Sequence, residues 1–463
     1  LFEWAMLLPL AVPAYIVAFV YTDILEFAGP VQGVLRGLFG WQSARDYWFP
    51  EIRSMGGAIF VMSFVLYPYV YLLGRAAFQE QSACAFEVSR TLGRGAWNTF
   101  ISVALPLARP ALAVGTALAL METLADFGTV DYFAVNTLTL GVFNVWLNMG
   151  NSGGAAQIAL VMLGAVVLLL TLERMSRRKQ RHFSMTTRYR PHAGFTLIGW
   201  RAAGAAVACA LPILIGFVVP AGILFHYAIR YFSESWTAEF FGHARNSILL
   251  SAVAAIAAVS IALFIAYGRR LAGGTVLAVA SRLAGAGYAI PGTVLAIGVI
   301  IPFAAFDNGL DAIMRKTFGI STGLLLSGTV AAIIFAYVVR FLAVALGAVE
   351  ASLGRVKPSM DMAARTLGVG PAAILRRIHL PLIRGSLFAA GIIVFVDSMK
   401  ELPATLILRP FNFDTLATHV YQFASSEQLE HSALAALTIV VAGIVPVILL
   451  SRAIGVSSPG RTG

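Results

Sequence analysis

The sequence has little charge. Only 12% of its 463 residues are charged and 59% are hydrophobic, whereas about a quarter of the residues in a soluble domain are charged. Such a chain lacks the polar side chains needed to cover a folded surface in water. Apolar runs of about 20 residues recur, and each is long enough to cross a bilayer core as a helix. The sequence therefore predicts an all-α integral membrane protein in contact with the lipid bilayer.

Several chemical sites are missing as well. The two cysteines, Cys84 and Cys209, lie far apart, which argues against a disulfide framework and a thiolate metal site. The seven histidines are scattered, so no tightly bound metal is expected. None of the lysines follows a glycine in the pattern GxxxxGK[ST], so we expect no ATP site in this chain. Ser-His-Asp and HExxH patterns are also missing, and a membrane enzyme or scaffold is the weakest interpretation.

Ten apolar spans are expected, with boundaries uncertain by a few residues. They lie at roughly 4–24, 54–74, 104–125, 156–173, 203–229, 246–267, 281–303, 323–347, 380–399 and 432–451.

The loop at 173–201 carries eight Arg or Lys residues against one acid, which places it in the cytoplasm. Counting spans from there puts loops 75–103 and 348–379 and the C-terminus in the cytoplasm, and loop 127–154 outside. We attribute the net charge of +11 to basic cytoplasmic loops rather than to nucleic-acid binding.

A short polar phrase occurs twice. The letters RTLGRG at 90–95 return as RTLGVG at 365–370, and the offset of 275 holds without a gap from Arg90 to Arg109. Nine of these 20 positions are identical. The identities are separated by varied residues, so low complexity does not explain them. The pattern indicates an internal duplication.

The duplication predicts three segments: a first half at 1–175, a basic cytoplasmic linker at 176–200, and a second half at 201–463. The span that contains Pro13 matches the third span of the second half, so the first half lacks two counterparts. Either the duplication is asymmetric or the sequence lacks its first two spans. We favour the second explanation because the chain starts at Leu1, and 12 spans would then be expected.

Both copies of the phrase are expected to follow a short helix. Ser82 can cap the first helix and Gly93 can end it in a left-handed turn, whereas the second helix begins near Ser359 and ends at Gly368. A single loop of this kind could be a solvated basic connector. Two copies at equivalent cytoplasmic places favour two docking sites for a partner with two-fold symmetry.

The first loop resembles the EAA…G…LP loop of ATP-binding-cassette (ABC) importer permeases. The resemblance rests on Glu87-Val88-Ser89, Gly93 and Leu105-Pro106. The second loop matches from Ala363-Ala364 to Leu380-Pro381, but Met362 stands where the family has Glu, and Asp361 is the candidate substitute.

This resemblance implies two tandem type I (MetI-like) permease halves. It also implies coupling helices that dock on a homodimer of ATP-binding subunits, which would hold the ATP and Mg, so that no cofactor is expected in this chain. The candidate coupling residues are Glu87, Arg90, Thr91, Gly93, Gly95 and Pro106 in the first half and Asp361, Arg365, Thr366, Gly368, Gly370 and Pro381 in the second.

Acidic residues inside lipid spans are costly and mark candidate transport paths. They occur here in the stretches METLADFGTVDYF at 121–133 and VDSMKELPATLILRP at 396–410, where the same offset pairs Asp126 with Glu401. The path candidates are Glu122, Asp126, Asp131, Asp397 and Glu401.

A structural role competes with transport for these acids. Asp126 and Glu401 could instead cap helix ends or pair with Lys400 or Arg409. Asp397 could form a helix-surface ion pair with Lys400 at i,i+3.

These stretches are similar to those of fused bacterial ferric-iron permeases. The similarity implies a subunit of the bacterial inner membrane that receives Fe³⁺ from a periplasmic binding protein at outer loops such as 26–51, 127–154 and 401–431. Oxygen ligands from Asp, Glu and Tyr suit this hard cation. Thiamine, phosphonate, sulfate or polyamine cargo remains an alternative, as does a secondary transporter driven by an ion gradient.

Overall fold

The computed structural model describes residues 2–79, 81, 83–178 and 197–456. Within these ranges all regular structure is helical, and ten segments are long and apolar enough to cross a membrane. In chain order, α1 to α10 are Ala14–Phe39, Met55–Gln79, Ala96–Ala125, Ser152–Leu172, Trp200–Arg230, Ala238–Ala272, Gly292–Phe318, Val330–Arg355, Pro371–Met399 and Leu429–Ile448. The predicted all-α membrane fold is confirmed. Most of the predicted linker, at 179–196, lies outside the described residues.

Shorter helices precede the first span or occupy the connections between the spans. They are Phe2–Ala5, Leu8–Ala11, Ala83–Thr91, Gly128–Tyr132, Leu138–Phe143 with Asn144–Asn148, Phe232–Ser235, Thr275–Ala284, Gly287–Ala289, Pro358–Thr366, Pro403–Leu408 and Leu416–Ser425. Segment α1 is itself two helices, Ala14–Leu25 and Pro30–Phe39.

The predicted starts of two spans, at residues 4 and 281, are wrong. The helices begin at Ala14 and Gly292, directly after Pro13 and Pro291, whose ψ angles of 141° and 143° are not helical. Proline has no N–H and disfavours helical backbone in the residue before it, and at these two positions the apolar run breaks instead of continuing as one helix. Because the same break occurs in both halves, the duplication extends well beyond 90–109.

Three spans contain a five-residue π-helical turn that ends two residues before a proline. These turns are Phe100–Ala104 before Pro106, Leu214–Val218 before Pro220, and Leu375–His379 before Pro381. A wider turn relieves the clash between the proline ring and the preceding carbonyl groups. The sequence predicts that Leu-Pro-Leu opens the span in each half, but α3 and α9 start earlier because this turn accommodates the proline.

The two halves share one core. Its buried side chains include Tyr15 and Phe19 from the first half and Leu402 and Leu416 from the second. The first span of the second half also reaches across, because the Tyr21 hydroxyl donates to the carbonyl of Ile215 at 2.7 Å. The halves are therefore interlocked, and their division at 176–200 stays a prediction from the repeat.

Candidate functional site

The two repeated loops fold alike. Helices Ala83–Thr91 and Pro358–Thr366 are each followed by a left-handed glycine, Gly93 with φ 76° and Gly368 with φ 75°. Each glycine N–H donates at 3.0 Å to a carbonyl three residues earlier, that of Arg90 or Arg365. Glycine adopts this conformation without strain, which is why it ends both helices. The predicted capping residue Ser82 lies outside the described residues.

Most of the candidate coupling residues are exposed. In the first half Glu87, Arg90, Thr91, Gly93, Gly95 and Pro106 are exposed, and in the second Arg365, Thr366, Gly368, Gly370 and Pro381 are exposed. Pro106 and Pro381 lie farther along, inside α3 and α9. The two helices and their glycine turns are therefore accessible to a partner, and their role in coupling stays a prediction.

Asp361 is the exception among these residues. It is partly buried, with its carboxylate 2.7 Å from Arg270 Nε and 2.6 Å from His379 Nε2. Burial acts to raise the pKa of Asp361, but the hydrogen bonds from Arg270 and His379 act the other way, and this pKa lies below its ordinary value. Met362 holds the exposed position equivalent to Glu87. The structure therefore directs Asp361 to partners inside the chain.

The far ends of α3 and α9 meet at a cavity of about 130 Å³. Four of the five predicted path acids line it, namely Glu122, Asp126, Asp397 and Glu401. The fifth, Asp131, lies outside this lining and accepts a hydrogen bond from the Tyr421 hydroxyl at 2.6 Å. The acids that the offset of 275 pairs between the two halves therefore line the same cavity.

Asp126 and Glu401 both line the cavity and cap short helices. Asp126 accepts from the backbone N–H of Thr129 at 2.9 Å, and Glu401 accepts from the backbone N–H of Ala404 at 3.0 Å. Their two predicted roles, path lining and helix capping, are therefore geometrically compatible. Each carboxylate is held in place by the helix that follows it.

The predicted ion-pair partners of Glu401 are wrong. Its carboxylate lies 3.1 Å from Arg340 Nη1, with side chains only 10% and 3% exposed. Lys400 instead pairs with Asp397 at 2.9 Å, as the i,i+3 spacing predicts. This second pair faces the cavity rather than the outer surface of the helix.

Sequence reasoning missed several polar side chains of the cavity. Arg340 comes from α8, and Tyr15, Tyr69 and Tyr288 come from three further segments. The Tyr288 hydroxyl donates to Glu122 at 2.8 Å, which joins the two halves. Arg340 interrupts the apolar run of α8, and a lone arginine in a lipid span is the signal that would have found it.

The lining carries no compact metal site. Among the described residues, no three His, Cys, Asp or Glu side chains gather closely enough to hold a metal ion. Two polar groups of the cavity are unsatisfied, because Arg340 Nε and the Tyr15 hydroxyl are buried and make no hydrogen bond to the described residues. The cavity thus offers polar groups that are not committed to internal bonds.

Replacing Gly292 by alanine should destabilise the cavity. The new methyl carbon would lie 2.6 Å from both Arg340 Nη1 and Glu401 Oε1, which could move away only by disturbing their buried ion pair, and overpacking of this kind costs about 1–3 kcal/mol. Thermal unfolding of the purified chain measures this change. Gly298→Ala in the same helix is the matched control, since nothing lies within 4 Å of the added carbon. Equal effects at both positions would contradict the prediction.

Part of the chain matches a family of membrane transport components. Residues 1–182 match the family described as binding-protein-dependent transport system inner membrane component. The predicted resemblance to ABC importer permeases of the fused ferric type is confirmed. Together with the ten apolar helices, this match identifies a multi-pass protein of the bacterial inner membrane type.

Two curated relatives match most of the chain and a third matches about a third of it. The Fe(3+)-transport system permease protein FbpB 2 of Haemophilus influenzae is 26% identical over 97% of this chain and 82% of its own length. The ferric transport system permease protein FbpB of Actinobacillus pleuropneumoniae is 23% identical over 87% of this chain and 58% of its own length. The molybdenum transport system permease protein ModB of Escherichia coli is 27% identical over 37% of this chain and 74% of its own length.

Proposed function

We propose that the chain is the permease subunit of an ABC importer that moves ferric iron delivered by a periplasmic binding protein. The observation that carries this proposal is the acidic cavity between two halves that present equivalent exposed helices. The similarity to an Fe(3+)-transport permease over 97% of the chain supports the cargo.

The charge of the cavity favours a cation. Four carboxylates line it against two cationic side chains, Arg340 and Lys400. Carboxylate and phenol oxygens suit a hard cation such as Fe³⁺. A transport path must also release its cargo, and dispersed ligands suit weak binding better than a compact cage does. An oxyanion such as sulfate or molybdate would meet more negative than positive groups here.

The energy source in this proposal is a separate homodimer of ATP-binding subunits, which carries the ATP and Mg. This dimer docks on helices Ala83–Thr91 and Pro358–Thr366 on the cytoplasmic side, where the C-terminus also lies. ATP binding draws the two helices together, and the halves rock so that the cavity opens outward to the binding protein. Hydrolysis then restores the inward-facing state.

Uptake of ⁵⁵Fe³⁺ into proteoliposomes with the ATP-binding and binding-protein partners tests the proposal. We expect uptake to need ATP inside and to fall about tenfold or more in Asp126→Asn and Glu401→Gln, because losing about 1.4 kcal/mol of interaction corresponds to a tenfold change. Asp131→Asn should keep most of the uptake, since this side chain lies outside the cavity lining.

The alternatives give different outcomes in the same vesicles. Uptake driven by an ion gradient without ATP would identify a secondary transporter. ATP-dependent uptake of sulfate, thiamine, a phosphonate or a polyamine, with no uptake of iron, would reassign the cargo.

A further inference from the structure

The second coupling helix is tied to the body of its half by a charged cluster. Arg270, at the end of α6, donates through Nε to Asp361 at 2.7 Å. Its other nitrogens donate to the carbonyl of Leu353 and, at 2.8 Å, to that of Val356. A single guanidinium therefore joins the end of α6, the end of α8 and helix Pro358–Thr366.

Asp361 extends this cluster to α9. Its second oxygen lies 2.6 Å from Nε2 of His379, a fully buried residue in the π-helical turn of α9. The ring of Tyr267 packs edge-on against His379 at 5.4 Å, and its hydroxyl donates to the carbonyl of Pro371 at 2.6 Å. Asp361 thus links the coupling helix to the π-helical turn of α9, and Tyr267 links α6 to the start of α9.

The first half joins the same elements differently. The positions equivalent to Asp361 and His379 are Phe86 and Ala104, which carry no charge. A hydroxyl pair, Ser89 and Thr99 at 2.8 Å, connects helix Ala83–Thr91 to α3 instead. The second half has Ala364 and Ile374 at the positions of this pair. The helix and the turn are therefore common to both halves, whereas the charged residues Asp361 and His379 have uncharged residues at the equivalent positions.

We propose that Asp361 is a positioning residue that fixes the second coupling helix to α6, α8 and α9, so that the helix moves together with its half. The inference rests on the proposed coupling function. Arg270 bonds three acceptors with one planar fork, which leaves the helix little freedom to tilt alone.

Amide hydrogen exchange of the full chain in lipid nanodiscs tests the positioning role without any partner. We expect Asp361→Asn to speed exchange in 358–366 at least tenfold and to leave exchange in 83–91 unchanged. Glu350→Gln is the matched control, because Glu350 pairs with Arg269 at 2.9 Å between the same spans but not with the coupling helix. Unchanged exchange in 358–366 would overturn the proposal.

Arg270→Lys provides a second variant that keeps the charge but loses the fork. It should speed exchange in 358–366 by a smaller factor than Asp361→Asn does. Asp361→Glu keeps the carboxylate and should keep most of the wild-type protection. If Asp361→Asn does not fold, these two variants decide the question: equal protection in Arg270→Lys and wild type would overturn the proposal.

Binding-protein-stimulated ATPase activity in the reconstituted importer tests the transmission. We expect Asp361→Asn to lower the stimulation about tenfold and Glu350→Gln to leave it unchanged. If Asp361→Asn speeds exchange in 358–366 but leaves the ATPase stimulation normal, the proposal that this helix must be held in place to transmit movement is overturned. A wild-type chain that neither binds nor stimulates an ATP-binding subunit would refute the proposed function, while the exchange result would still decide the positioning role.

Discussion

Replacing Arg340 by methionine is expected to lower the free energy of unfolding by about 3–5 kcal/mol, because removing one partner of a buried pair leaves the other charge uncompensated. The remaining carboxylate, Glu401, is only 3% exposed in its side chain, so water does little to replace the lost partner. Thermal or denaturant unfolding of the purified chain, followed by circular dichroism, measures the loss. It should be among the largest effects of any single substitution near the cavity.

Two further variants distinguish the loss of the ion pair from the loss of side-chain packing at position 340. Arg340→Met combined with Glu401→Gln should recover a large part of the stability, since a neutral side chain no longer needs the arginine. Lys400→Met should cost less than Arg340→Met, because the Lys400–Asp397 pair is more exposed, at 29% and 19%. If the double variant is as unstable as the single one, the ion pair does not account for the loss.

The sequence predicts the two repeated helices and their glycine turns well because their signals are local. A short helix and a glycine with φ near 75° depend on a few consecutive residues, and the second copy provides an independent check. The acids of the cavity were predicted for a related reason, since polar groups in apolar spans are rare and the constant offset pairs them across the halves.

The ion-pair partners depend on long-range packing, which the sequence pattern does not record. Lys400 is adjacent to Glu401 in the chain, yet its ammonium group reaches Asp397. The partner of Glu401 is Arg340, which lies 61 positions away on α8 and reaches Glu401 only when the helices pack together. Asp361 shows the same limit: the sequence suggests it as a substitute for the missing Glu of the second loop, whereas the structure pairs it with Arg270 and His379.

Replacing both Gly93 and Gly368 by leucine is expected to lower binding-protein-stimulated ATPase activity at least about tenfold, equivalent to about 1.4 kcal/mol of lost docking energy. The backbone at both positions has positive φ, and nothing lies within 4 Å of an added carbon. Each leucine side chain would therefore project from the turn toward the proposed partner, with a modest strain of about 1–2 kcal/mol in the left-handed backbone.

A glycine on another loop controls for that strain. Gly319 ends α7 with φ 67° and open space around it, so Gly319→Leu imposes a similar backbone cost away from both coupling helices. Normal stimulation in Gly319→Leu with loss in the double variant would place the effect at the docking turns, whereas normal stimulation in the double variant would rule out docking there. The single variants then measure the share of each half.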